Sequence, residues 1–104
     1  MRKDQDGAEA TYRKALEVDP NHKGALNNLG GILICKDVNG AERMYRKVIE
    51  LDPKYTNSIW GLSTCREKLN DIPGAIEFME QYLSLGGSLD GESRLATLLG
   101  RSVS

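Results

Sequence analysis

Apolar residues along this chain recur every three to four positions rather than in strict alternation. That spacing belongs to helices and not to strands. In residues 4–20, Ala8, Tyr12, Ala15 and Leu16 share one helical face, while Arg13, Lys14 and Glu17 share the other. Leu26, Leu29 and Leu33 do the same in 21–36, and Ile59, Leu62 and Leu69 in 54–70. A last stripe, Leu89, Leu95, Leu98 and Leu99, lies near the C-terminus. The pattern predicts an all-α chain of six helices, the first running from Asp4 to about Asp19.

Three of these segments are near-copies. DQDGAEATYRKALEVDP at 4–20 returns as DVNGAERMYRKVIELDP at 37–53 and as DIPGAIEFMEQYLSLGG at 71–87, offset by 33 and 34 residues. A repeat of this period signals stacked helical hairpins, each too small to bury its own apolar face. Asp4, Asp37 and Asp71 occupy the same place in each copy and are expected to cap a helix start. Pro20 and Pro53 are expected to stop two of the helices, and Gly86-Gly87 to supply a left-handed stop for the third. Gly30 and Ser63 are equivalent small residues that allow close helix approach. The shorter first offset predicts a tightened turn near 36–39.

The expected organisation is one domain over residues 4–100: an unpaired second helix at 4–20, complete hairpins at 21–53 and 54–87, and a C-terminal capping helix at 88–100. Residues 1–3 and 101–104 are expected to fray. The chain has 104 residues, a net charge of −1 and 28% charged residues. With no basic field, nucleic acid is not an expected partner. No apolar run is long enough to span a bilayer, and no hydrophobic signal region opens the chain. With only Cys35 and Cys65, a reducing cytoplasmic location is the expectation. Both cysteines are expected to serve as small core residues. His22 is the single histidine. No nucleophile, metal or phosphate motif appears, so neither an enzyme nor a bound cofactor is expected.

Alternating helices, a 34-residue period, and Leu-Gly followed by Ala, an aromatic, a small residue and Pro together resemble the tetratricopeptide repeat family. Leu29-Gly30, Ala41, Tyr45 and Pro53 carry the likeness in the second copy, and Ala8, Tyr12, Ala15 and Pro20 in the first. The third departs most: Ser63 replaces glycine, Tyr82 stands at the small site and Gly87 replaces proline. Tyr82 suggests altered packing against the C-terminal helix. The resemblance implies a right-handed superhelical stack of antiparallel hairpins. It also implies a scaffold that receives a protein or extended peptide on the concave face of its first helices.

On that reading Asn27, Asn28, Gly31, Ile34 and Cys35 turn toward the groove from one hairpin, and Asn57, Trp60, Gly61, Thr64 and Lys68 from the next. Asparagine can donate to and accept from an extended backbone, and Trp60 is either an anchor for the partner or a wedge between helices. Some family members clamp acidic chaperone tails with basic residues. Here those places hold Gly24, Asn27, Asn57 and Gly61, so weak or no binding of such tails is expected. Two alternatives stand beside peptide recognition. One is a homo-oligomer assembled through the uncovered first helix, with Tyr12 and Leu16 at the interface. The other is a segment of a longer array, expected because the chain opens on the second helix of a hairpin; the run ALNNLG at 25–30 resembles repeats found beside glycosyltransferase domains, so such a catalytic domain could be attached.

Overall fold

The computed structural model describes residues 2–102, with side chains from residue 6 onward. Six helices follow one another: α1 (Arg2–Val18), α2 (Lys23–Leu33), α3 (Val38–Leu51), α4 (Thr56–Lys68), α5 (Ile72–Ser84) and α6 (Asp90–Ser102). Each packs on its neighbours in chain order, and α2 also meets α4. The stack is elongated, 43 × 28 × 21 Å.

The caps behave as the copies require at two of the three sites. Asp37 Oδ1 accepts from Gly40 N at 3.0 Å, and Asp71 Oδ1 from Gly74 N at 3.0 Å. A Cβ on either glycine would lie 2.3 Å from the capping carboxylate, so the cap itself requires glycine three residues on. In the first copy the helical backbone already begins at Arg2, ahead of the expected start, and Asp4 lies within α1. At the other end α6 continues through Arg101 and Ser102, past the expected stop near Gly100. Met1, Val103 and Ser104 lie outside the described residues.

The stops explain the two offsets. After α5, Gly86 adopts φ 87°. Gly87 N donates to Tyr82 O and Gly86 N to Leu83 O, a left-handed closure of the helix end. After α4, Asn70 at φ 63° makes the same closure, with Asp71 N donating to Arg66 O and Asn70 N to Glu67 O. Between α2 and α3 there is no left-handed residue: Asp37 N reaches back to Leu33 O at 2.6 Å. That junction is one residue shorter, and its turn occupies Ile34 to Lys36, slightly ahead of the expected 36–39.

Two apolar clusters form the core. The first gathers Leu29, Leu33, Ala41, Tyr45, Leu62 and Cys65; the second gathers Ile59, Ala75, Met79, Tyr82 and Leu98. Tyr45 joins the hairpins. A Cβ added to Gly30 would meet its ring at 2.9 Å, and one added to Gly61 would meet it at 2.4 Å. Ser63 fills the place equivalent to Gly30 and, fully buried, donates its hydroxyl to Ala75 O at 2.8 Å. Tyr82 lies over the loop that leads into α6. Its ring occupies the space a Cβ on Gly87 or Gly91 would need, and its Oη accepts from Ser88 N at 3.2 Å.

Several apolar positions of the expected stripes are exposed. Leu89 is 79% exposed and, at the end of α1, Val18 is 86% exposed, since both flank helix ends beyond the reach of a neighbour. Leu99 is 48% exposed on the outer side of α6, and Leu69 is exposed at the end of α4. Cys35 is not a core residue: it sits in the α2–α3 turn, open to solvent, whereas Cys65 is fully buried.

Candidate partner-binding face

The first helices α2 and α4 use most of their circumference for packing. Ser58, Ile59, Gly61, Leu62, Ser63 and Cys65 are all buried on α4. What remains open is a narrow strip. On α2 it carries Asn28 and Gly31, both exposed; on α4 it carries exposed Asn57 and Lys68 with half-buried Trp60 and Thr64 between them. These residues recur at helical spacing, so each helix presents one edge.

Not every residue expected on this face lies there. Asn27 is half-buried, and its Oδ1 accepts from the buried Ser58 hydroxyl at 2.8 Å, tying α2 to α4. Ile34 caps α2 and packs against the first core cluster. Gly61 is sealed beneath Tyr45 rather than open to a groove, because the Tyr45 ring needs that space. Trp60 is edge-on to Tyr82, with ring centroids 5.1 Å apart and planes at 69°. Part of its indole packs against the second cluster and part remains accessible. Thr64 bonds back to Trp60 O at 3.1 Å.

Charges flank this strip as paired groups. Glu67 on α4 takes Arg94 and Arg101 from α6. Glu42 on α3 takes Arg46 and Arg66, and Arg66 also reaches Asp71 at 3.3 Å. Burial pushes the Glu42 carboxyl up, but hydrogen bonds and charge from the two arginines outweigh it and hold it below the usual carboxylate value. Glu9 pairs with Lys36 and Arg13 at the equivalent place in the first copy.

His22 caps α2, its Nδ1 accepting from Ala25 N at 3.0 Å. Burial pushes the Cys65 thiol up to about 11, so it is neither a ready nucleophile nor a ready ligand. No group of three metal-ligating side chains occurs among the described residues. No described helix is long and apolar enough to cross a membrane. Tyr45 is pushed up to about 12, chiefly by burial and further by Cys65 beside it.

The sequence reading overlooked the opposite face, that of the second helices. Two recesses of about 330 and 310 Å³ lie there. One is lined by Arg13, Leu16, Glu17, Leu29 and Met44, the other by Arg46, Ile49, Glu50, Pro53, Leu62 and Phe78. Apart from Pro53, each residue of the second stands 33 or 34 positions after its counterpart in the first, so the 33/34 offset held the signal. Leu16 is half-buried: like Tyr12 it packs against the first core cluster, and it also lines this recess beside Met44 of α3.

Comparison with known proteins agrees with this architecture. The family model for the tetratricopeptide repeat matches residues 2–22. No curated protein sequence matches the chain. Among solved structures, the first TPR of Spaghetti (RPAP3), bound to HSP90 peptide SRMEEVD, is similar at 20% identity. That match covers 99% of this chain and 83% of that one, with a TM-score of 0.91. The Sgt2 TPR domain from Aspergillus fumigatus is similar at 25% identity, over 96% of this chain and 69% of that one, TM-score 0.86. MamA is similar at 23% identity and TM-score 0.85, over 97% of this chain and 60% of the other. With six helices among the described residues stacked at a 33- to 34-residue period and a repeat matched at 2–22, the chain has the fold of tetratricopeptide-repeat domains.

Proposed function

We propose that this chain is a non-catalytic protein-interaction module that receives an extended protein segment along the edges of α2 and α4. One observation carries the reading. Asn28, Asn57 and Lys68 form a row of exposed polar side chains beside a half-open Trp60, and within the described residues none of the three has a hydrogen bond or ion pair. Amide side chains of this kind satisfy a backbone whatever its sequence, and the accessible part of the indole offers an apolar contact. The similarity to a domain bound to an HSP90 peptide supports the same mode of use. It does not carry over the ligand. At the places where a carboxylate clamp needs cations, this chain has Gly24, Asn27, Asn57 and Gly61, and nearby Lys23 is paired with Asp52 at 3.3 Å.

The test is a selection from a library of unstructured peptides, followed by titration of the best binder against wild type, Asn57→Ala and Lys68→Ala. Both positions are exposed, so the fold survives the changes. Binding weakened several-fold in each variant supports this face. Equal affinity in all three refutes it. The peptide SRMEEVD, run alongside, is expected not to bind; micromolar affinity for it overturns the account of the missing clamp.

A further inference from the structure

Tyr45 reaches from α3 in between the two first helices, and its hydroxyl arrives at their open edge. The tip of its ring lies between Gly30 of α2 and Gly61 of α4, where an added Cβ would meet it at 2.9 and 2.4 Å. The oxygen at that tip sits beside Gly31, whose own added Cβ would lie 3.7 Å from it. Gly31 is exposed and belongs to the open strip of α2. Tyr45 is only 5% exposed, yet its hydroxyl makes no hydrogen bond among the described residues. Nor is that oxygen sealed from solvent: the described side-chain atoms that are both buried and unpartnered are Arg66 Nε and Arg94 Nε. A tyrosine buried to this degree ordinarily finds a partner for its hydroxyl.

The fold does not account for Gly31. Glycine inside a helix weakens it relative to alanine. Among the described residues Gly86 is the one glycine with a positive φ, so the backbone at position 31 does not call for glycine. Packing does not call for it either. Its added Cβ would meet nothing within 4 Å except the tyrosine oxygen, at an ordinary contact distance. Gly30 and Gly61 are held to glycine by the ring, and Gly31 is not. A missing side chain at an open helical position leaves room for another backbone to come close. Asn28 stands one turn before Gly31, and Asn57 and Thr64 stand one turn to either side of Gly61, so polar side chains border the same spot.

We propose that the Tyr45 hydroxyl is the floor of the partner site and donates to a main-chain carbonyl of the bound segment, whose backbone lies against Gly31. This rests on the reading of the α2–α4 edge as the partner-binding face and names the group that the edge takes at its centre. The acceptor is a neutral carbonyl and not a carboxylate. Lys68, the cation of this strip, stands seven residues beyond Gly61, about 10 Å along α4. Burial, and Cys65 beside it, push the hydroxyl up to about 12, so it keeps the proton it donates. Every residue of a bound segment carries a main-chain carbonyl, so Tyr45 fixes the path of the segment and not its side chains.

The experiment measures melting temperature and affinity together for Tyr45→Phe and Gly31→Ala, using the peptide selected against wild type. Tyr45→Phe keeps the ring and its packing. Its melting temperature is expected to match wild type while its affinity falls roughly three- to tenfold. Gly31→Ala is expected to melt a few degrees higher and yet to bind several-fold more weakly, so that stability and binding move in opposite directions. Main-chain amides of the peptide are also replaced one at a time by esters, whose carbonyls are weaker acceptors. One position is expected to matter to wild type and not to Tyr45→Phe. The proposal is overturned if Tyr45→Phe or Gly31→Ala binds as wild type does while Asn57→Ala and Lys68→Ala are weakened; the edge then stands without this floor. It is overturned as well if no ester position depends on Tyr45, or if Tyr45→Phe melts well below wild type, which marks a structural partner for the hydroxyl. Wild-type affinity in all four variants refutes the edge itself, and this inference with it.

Discussion

Gly61→Ala isolates the joint between the two hairpins. In an ordinary helix interior, adding the methyl group to glycine stabilises by about 1 kcal/mol, because the unfolded chain loses freedom. Here the methyl would lie 2.4 Å from Tyr45 Cζ and 2.6 Å from both ring Cε atoms. An ordinary carbon contact is about 3.5–4.0 Å, so the ring must move by about 1 Å. It cannot move toward α2, because Gly30 is already so near that its own added Cβ would meet the ring at 2.9 Å. Overpacking of this kind costs about 1–3 kcal/mol. Set against the helix gain, the net loss is about 0–2 kcal/mol, up to roughly 8–16 °C in melting temperature for a domain of this size. Gly7→Ala is the internal control, since its Cβ would meet nothing within 4 Å; it should raise the melting temperature by a few degrees (about 0.5–1 kcal/mol). Thermal melts and urea titrations of both variants, with Tyr45→Leu and the Tyr45→Leu/Gly61→Ala double variant, complete the cycle. The reasoning fails if Gly61→Ala is as stable as Gly7→Ala, or if shrinking Tyr45 does not relieve the cost.

The remaining predictions concern the caps, the charges and the thiols. Asp71→Ala should lose about 1 kcal/mol through the unsatisfied Gly74 amide, read as a lower urea midpoint with an unchanged slope. Glu42→Gln should be less stable than wild type at neutral pH. The folded carboxyl titrates below the ordinary range of a glutamate, so its contribution is whole above that range and is lost as pH falls through the folded value; melts from pH 7 to 3 should converge at the acid end. Tyr82→Phe should weaken the loop before α6 by about 1 kcal/mol, through the loss of the Ser88 contacts. Amide exchange should then speed up in α6 before the rest of the chain. A maleimide should label Cys35 at once and Cys65 only on unfolding, since the latter is buried and its thiol is pushed up to about 11.

Periodicity made much of this protein legible in advance. The 33/34 offset, the Asp caps at 37 and 71, the proline stops and the Gly86 left-handed turn each follow from local backbone chemistry, and each is in place. Local chemistry was weaker at the ends of the stack. Val18 and Leu89 carry apolar side chains but have no neighbour to cover them, and burial requires a neighbour. The candidate face was legible only in outline. Helical spacing placed Asn28, Asn57 and Lys68 at an open edge, but it could not separate Asn27, Ile34 and Gly61 from them. Those three are claimed by Ser58, the first core cluster and the Tyr45 ring. A residue's face on its helix follows from its own sequence; whether that face is open depends on side chains tens of residues away. Tyr45 closing over both Gly30 and Gly61 is such a contact, and only the tertiary structure decided it.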